Sequence, residues 1–194
     1  MRSSPACFTR LPLYLALTLL TQCSKCKNDP TPSKPEDQLP PATQTGAGTF
    51  GCLLNGQPWT PSGFNGHPNF LVSYDPTYHG GNLDVTMYRY STGAKQAQYI
   101  GFGGDQLNKP GTYSFTALGS PALPSPYTAL YADGNLSSPC NYYTVNQGAT
   151  VKGQLTITRL DLSSGIVSGT VEYTFSQPSC DTIKITKGRF DGKF

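Results

Sequence analysis

Beyond Thr49, apolar and polar side chains alternate along most of the chain. In "IVSGTVEYTF", Val167, Gly169, Val171, Tyr173 and Phe175 fall on one side, and Ser168, Thr170, Glu172 and Thr174 on the other. "QLTITRLD" sets Leu155 and Ile157 against Thr156 and Thr158, and "LDVTMYRY" lines up Leu83, Val85 and Met87. "DTIKITKGRF" sets Ile183 and Ile185 against Thr182, Lys184 and Thr186. A period of two is the mark of a half-buried strand. "TFGCLL", "QPWT", "NFLVSYD", "AQYIGFGG", "TYSFTA" and "YTALYAD" read as further strands, divided by Gly- and Pro-rich loops. Asn55-Gly56 predicts a primed hairpin turn, because both residues tolerate positive φ. "DLSSG" at Asp161 to Gly165 predicts a second hairpin, between the two clearest strands. No window holds a 3.6-residue period, so at most a stray helical turn is expected. The pattern predicts an all-β fold of about nine or ten strands, an antiparallel β-sandwich or partly open barrel. The loop "LGSPALPSPY" should run over the surface or along a sheet edge, since proline cannot donate to a ladder.

The first 49 residues have a different texture. Leu11 to Leu20, "LPLYLALTLL", is apolar apart from Thr18, and two arginines and no acids precede it. A basic start and an apolar run too short to span a bilayer predict a secretory signal over 1–22. Leu20-Thr21-Gln22-Cys23 resembles a bacterial lipobox, which implies cleavage before Cys23 and lipid on its sulfur. Several acyl chains at about 0.8 kcal/mol per buried CH₂ make a stable anchor. Residues 23–49 carry Pro30, Pro32, Pro35, Pro40 and Pro41 among small polar residues, too little apolar surface to fold alone. The expectation is a tether of roughly 25 residues reaching up to about 75 Å, with the folded domain at 50–194. Cys26 has no counterpart in the lipobox.

Composition narrows the functional classes. Charged residues make up 13%, with 21 Gly, 17 Pro and 12 Tyr, which suits turns and strands better than helices. The net charge of +3 falls to +1 when Arg2 and Arg10 leave with the signal. From Phe50 onward nine basic residues face eight acidic ones, and the basic ones are scattered. Nucleic-acid binding needs a clustered positive surface, so no nucleic-acid partner is expected.

"TFGCLLNGQPW", "GQLTITRLD…GIVSGTVEYTF" and the closing "DTIKITKGRFDGKF" are similar to a family of small Bacteroidota lipoproteins. The resemblance covers Thr49 to Phe194. It implies an all-β fold, a lipid anchor and an outer-membrane location, facing the periplasm or the surface. It brings no catalytic residues with it.

Cys7 leaves with the signal and Cys23 takes lipid, so Cys52, Cys140 and Cys180 remain in the domain. Exported domains hold disulfides. Cys140 and Cys180 are the expected pair, each following Pro or Pro-Ser at the mouth of a strand, with Cys52–Cys180 as the rival. Cys52 alternates with Phe50 and Leu54, which suits a buried thiol. No CxxC survives in the domain and there are only two histidines, so no zinc site and no cofactor is expected.

The chemistry-bearing candidates lie in loops. His67 and His79 are in "NGHPN" and "YHGGN". No GxSxG, HExxH or Walker pattern accompanies them, so no catalytic residues are assigned. Asp75 and Asp84 form one acid pair that could flank a glycosidic bond, and with Asn82 they could ligate calcium without EF-hand spacing. "GFGGDQ" should be a strand end rather than a phosphate cradle. Aromatic residues are the stronger signal. Trp59, Tyr74 and Tyr78, with the Tyr142-Tyr143 pair, are candidate ligand-binding rings, because a flat exposed ring stacks on a sugar face. The expected function is therefore an envelope-anchored, non-enzymatic binding or scaffolding module that meets the membrane through its lipid and a glycan or envelope protein through its domain. A carbohydrate-binding module using the loop aromatics is the alternative, and a hydrolase is the second.

Overall fold

A computed structural model describes residues 34–90, 93, 96–117 and 126–194. The signal, Cys23, Cys26 and the body of the proline loop, 118–125, lie outside the described residues. Eleven strands are described: β1 (Thr49–Leu54), β2 (Gln57–Trp59), β3 (Phe70–Asp75), β4 (Asn82–Arg89), β5 (Gln98–Gly104), β6 (Gly111–Ala117), β7 (Tyr127–Asp133), β8 (Tyr142–Tyr143), β9 (Thr150–Asp161), β10 (Ile166–Ser176) and β11 (Ile183–Lys193). The ten expected strands are all present; the eleventh is the two-residue β8. Helical geometry among the described residues is confined to two short 3₁₀ turns, Pro35–Gln38 and Val145–Gln147.

The strands form two antiparallel sheets, ordered β2-β1-β11-β10-β9-β6 and β3-β4-β5-β7-β8. The fold is thus a β-sandwich. β9, β10 and β11 form a meander, and β1 closes it by pairing with β11. β6 leaves the chain's run through the smaller sheet and pairs with β9 at the edge of the larger one. The sequence alternation becomes the core: Val171, Tyr173 and Phe175 of β10 and Leu155 and Ile157 of β9 face Val85, Met87, Ile100 and Phe102 of the other sheet. Ring contacts cross the interface, with Phe102 and Phe190 centroids 5.3 Å apart and Phe50 and Phe102 6.2 Å apart. The Tyr173 hydroxyl donates across it to the Gly101 carbonyl at 3.2 Å.

Two bulges keep the alternation in phase. Ile185 and Phe190 are five residues apart, an odd spacing that would place them on opposite faces of a regular strand. An irregularity opposite Val171–Tyr173, where Lys187 takes φ 54°, restores both to the core. A second shift between Ser168 and Gly169, opposite Thr158, does the same for Ile157 and Leu160. The Asn55-Gly56 turn has φ values of 49° and 82°, the primed geometry expected from its sequence.

The N-terminal boundary differs from the sequence reading. Lys34 to Gly48, assigned there to the tether, forms a strap packed on the domain, so the folded unit begins at Lys34. Leu39 is buried, and Pro40 lies so close to β1 that a Cβ on Gly51 would come within 2.5 Å of its ring. The strap is held mainly by one carboxylate. Asp191, on the outer face of β11, is 1% exposed and accepts six hydrogen bonds: from the hydroxyls of Thr43, Thr45 and Ser168 and the backbone N–H groups of Thr45, Gly46 and Ala47. Burial opposes ionisation of Asp191. The bonds from Ser168, Thr43, Thr45 and Ala47 outweigh it and hold the carboxyl well below its ordinary value. Arg159 donates to the Gln44 carbonyl, and Arg189 to that of Glu36 at 3.3 Å. Composition could not reveal a segment whose docking depends on polar groups more than a hundred residues away.

Candidate functional site

The β3–β4 turn and the end of β5 build a polar groove at one end of the sandwich. Asp75 organises the turn: its Oδ1 accepts from the Thr77 N–H at 2.8 Å, the Thr77 hydroxyl at 2.7 Å and the Tyr78 N–H at 3.2 Å. Such an Asx turn replaces ladder bonds where the chain reverses. It presents Tyr78, whose side chain is exposed, with its ring stacked on the His79 imidazole at 3.9 Å and 20°.

His79 has φ 46° and Gln106 φ 61°, both in the left-handed region. The Gln106 N–H donates to the His79 carbonyl at 3.3 Å, and the Leu107 N–H to that of Gly81 at 2.9 Å. Leu107 is fully buried and anchors the second loop. Two non-glycine residues in the left-handed region, joined by a backbone hydrogen bond, are strain held in place by their surroundings, a pattern that gathers at functional sites.

The zipped loops bring His79 against Asp105. His79 Nδ1 lies 2.9 Å from Asp105 Oδ2, and the Asn82 amide donates to Asp105 Oδ1 at 2.8 Å. The bonds from Asn82 and then His79 hold the Asp105 carboxyl below its ordinary value. The Asp105 contact engages Nδ1 and leaves Nε2 as the ring nitrogen for other partners. Tyr78, His79, Asp84, Asp105, Pro126 and Thr128 border a groove of about 420 Å³. Its ring face, amides, carboxylates and hydroxyl can both stack on a ligand and hydrogen-bond to it.

Two residues of the groove's rim, Asp84 and Thr128, also belong to the outer face of the smaller sheet. Register places Ser73, Asp84, Gly103 and Thr128 on one rung, then Leu71, Thr86, Gly101 and Leu130, then Tyr88, Tyr99 and Ala132. Across these three rungs Asp84 is the one charged residue. The opposite sheet instead turns Lys152, Glu172, Lys184 and Lys187 outward.

The other sequence candidates distribute as follows. Trp59 is 0% exposed at the far end of the sandwich, where its Nε1 donates to Gln98 at 3.0 Å beneath the Arg89 guanidinium. It offers no face to a ligand, and its place in the candidate set is corrected; a strand Trp in this position closes the core. Tyr74 is half-buried on the inner face of β3, packed on Phe194 at 5.0 Å, and acts as support beneath the turn. Tyr143 is buried and donates to the Asp181 carbonyl at 3.0 Å. His67 is exposed in its loop, where its carbonyl accepts from the Tyr88 hydroxyl. Asp75 is committed to its turn and Asn82 to Asp105, and no metal-holding group of three His, Cys, Asp or Glu occurs among the described residues. Cys140 and Cys180 are disulfide-bonded, so Cys52–Cys180 is excluded; Cys52 is a buried free thiol. Sequence reasoning missed Asp105. "GFGGDQ" was legible as a strand end, but nothing local signals that its Asp meets a histidine 26 residues away.

Comparison with protein-family models, with curated proteins and with solved structures found no match.

Proposed function

We propose that the chain is an envelope lipoprotein whose domain is a non-enzymatic binding module, and that it takes a neutral glycan at the Tyr78 groove. The observation that carries this is the exposed Tyr78 ring, held on His79 and bordered by the Asp105–Asn82 pair and Asp84. A sugar presents an apolar face and a rim of hydroxyls, and such a ring beside fixed hydrogen-bonding groups complements both. The adjoining rungs carry a single charge, which favours an uncharged polymer over an anionic one. The lipid anchor rests on the basic start, the apolar run and the Leu20–Cys23 sequence.

Affinity electrophoresis of the whole chain through gels containing neutral polysaccharides tests the binding. Retardation by at least one of them is expected, and Tyr78→Ala should weaken it by about five- to tenfold, the worth of one aromatic contact. Migration unaffected by every polysaccharide would remove the glycan reading. A second reading has one specific observation in its favour: His79 held by Asp105 is the base-and-orienter half of a hydrolytic site. Release of reducing ends from a retained polysaccharide, lost in His79→Gln, would replace binding by hydrolysis.

A further inference from the structure

A sheet edge carries unpaired backbone groups, and folded proteins blunt such edges with short strands, Pro, Lys or bulges. Two of the edge strands here are blunted. β2 is three residues long with Pro58 at its centre, and β8 is two residues long. β3 is different. It is the edge of the smaller sheet, six residues in unbroken register with β4, and "FLVSYD" holds no Pro, no Lys and no charge before Asp75.

The register says which of its backbone groups are free. The Tyr88 N–H donates to the Asn69 carbonyl at 3.0 Å, so Asn69 and Tyr88 are a hydrogen-bonded pair just before the strand begins. In an antiparallel ladder such pairs alternate with non-bonded ones. Leu71, Ser73 and Asp75 therefore bond to β4, and Phe70, Val72 and Tyr74 turn their N–H and carbonyl groups away from it. Among the described residues, none elsewhere bonds to those outward groups. The same three side chains form the inner row of β3, packed against the core but only partly buried. On the outer row Leu71 is 48% exposed. The loop entering β3 runs along the same margin, where the Ser62 N–H donates to the Tyr88 carbonyl at 3.2 Å, and it leaves Phe64 74% exposed.

A strand that pairs here must be extended, free of charge on its inner row and apolar enough to finish burying Phe70, Val72 and Tyr74. β3 itself meets each condition. Set antiparallel across a two-fold axis at Val72, it places Val72 opposite its own copy and Phe70 opposite Tyr74. Leu71 then faces Ser73, and Asn69 faces Asp75. No like charges oppose one another, and the inner pairs are the aromatic and β-branched kind that stabilise sheets. The outward groups of Phe70, Val72 and Tyr74 meet those of the second copy, about two bonds to each of three pairs. From Phe50 onward nine basic residues balance eight acidic ones, so two copies do not repel strongly. We propose that the edge of β3 is a self-association surface, and that two copies of this chain join their smaller sheets through it into one continuous sheet. The proposal does not depend on the glycan reading.

Sedimentation velocity of the whole chain in density-matched non-ionic detergent reads the mass, and amide hydrogen exchange reads the register. The expected result is a reversible dimer. As concentration rises, exchange should slow at Phe70, Val72 and Tyr74 and stay constant at Leu71 and Ser73, whose N–H groups already bond to β4. Leu71→Lys, on the exposed outer row beside the axis, should weaken dimerisation by at least about tenfold. Leu162→Lys, at a 58% exposed hairpin position away from β3, should not change it. Val72→Pro removes an outward N–H that no intramolecular bond uses, and should leave a monomer with an unchanged near-ultraviolet circular dichroism spectrum. A single-chain mass up to about 1 mM would overturn the proposal. So would a dimer indifferent to Leu71→Lys, or one whose added protection falls on the other long edge strand, β6.

Discussion

Asp191 shows how much one side chain can decide. Six donors converge on a carboxylate 1% exposed to solvent, so Asp191→Ala leaves several buried donors without a partner. The expected cost is about 2–4 kcal/mol, read as a lower denaturation midpoint. The sign of the pH dependence follows from its depressed carboxyl. Its contribution is complete above the unfolded value of about 3.9 and is lost as pH falls toward the folded one. Stability of the wild type should therefore decline below about pH 4 more steeply than that of Asp191→Asn in acid titrations followed by circular dichroism. Cys52 is the contrasting residue. Burial pushes its thiol up to about 12, against a smaller opposing pull from Arg89. Peptide mapping after alkylation of the native protein at pH 8 should leave Cys52 unlabelled, with labelling appearing only in denaturant. The residue alternation predicted the burial of Cys52 but put Ser168 on the wet face. Ser168 points outward as expected and is nevertheless buried, because the strap covers it.

At the scale of elements, every strand with a clear period of two was legible, because the pattern is local: one side must be apolar to reach the core. The two hairpins were legible for the same reason, through Asn55-Gly56 and the Asp161–Gly165 turn, where Asp161 accepts from Ser163 and Ser164. What the pattern concealed was the strap and the pairing of distant loops, which depend on tertiary contacts. Gly51 carries one trace of the strap. A side chain there would collide with Pro40, so Gly51→Val should displace residues 39–48 at a cost of about 1–3 kcal/mol. Limited proteolysis should then cut between Thr43 and Gly48 in the variant and spare the wild type.

At the scale of the molecule, the sandwich has a polar groove at one end, a disulfide-rimmed cavity at the other and a strap across part of the larger sheet. The disulfide joins the sheets at one end across a separation of 40 residues, for which loop closure suggests about 4 kcal/mol at most. Reduction should lower the thermal midpoint and loosen the cavity rim, while leaving the Tyr78 groove at the other end unchanged in its amide spectrum. The groove was half legible: Tyr78, His79, Asn82 and Asp84 were singled out for their chemistry, while Asp105 joins them only through the folded contact of two loops. The most direct test of the account is an amide chemical-shift titration of the whole chain with neutral gluco-, xylo- and manno-oligosaccharides. The account predicts saturable shifts at residues 75–84 and 104–108 with at least one of them, with Tyr78→Ala raising the concentration needed for saturation about five- to tenfold. Shifts absent with all three, or confined to residues away from that groove, would contradict it.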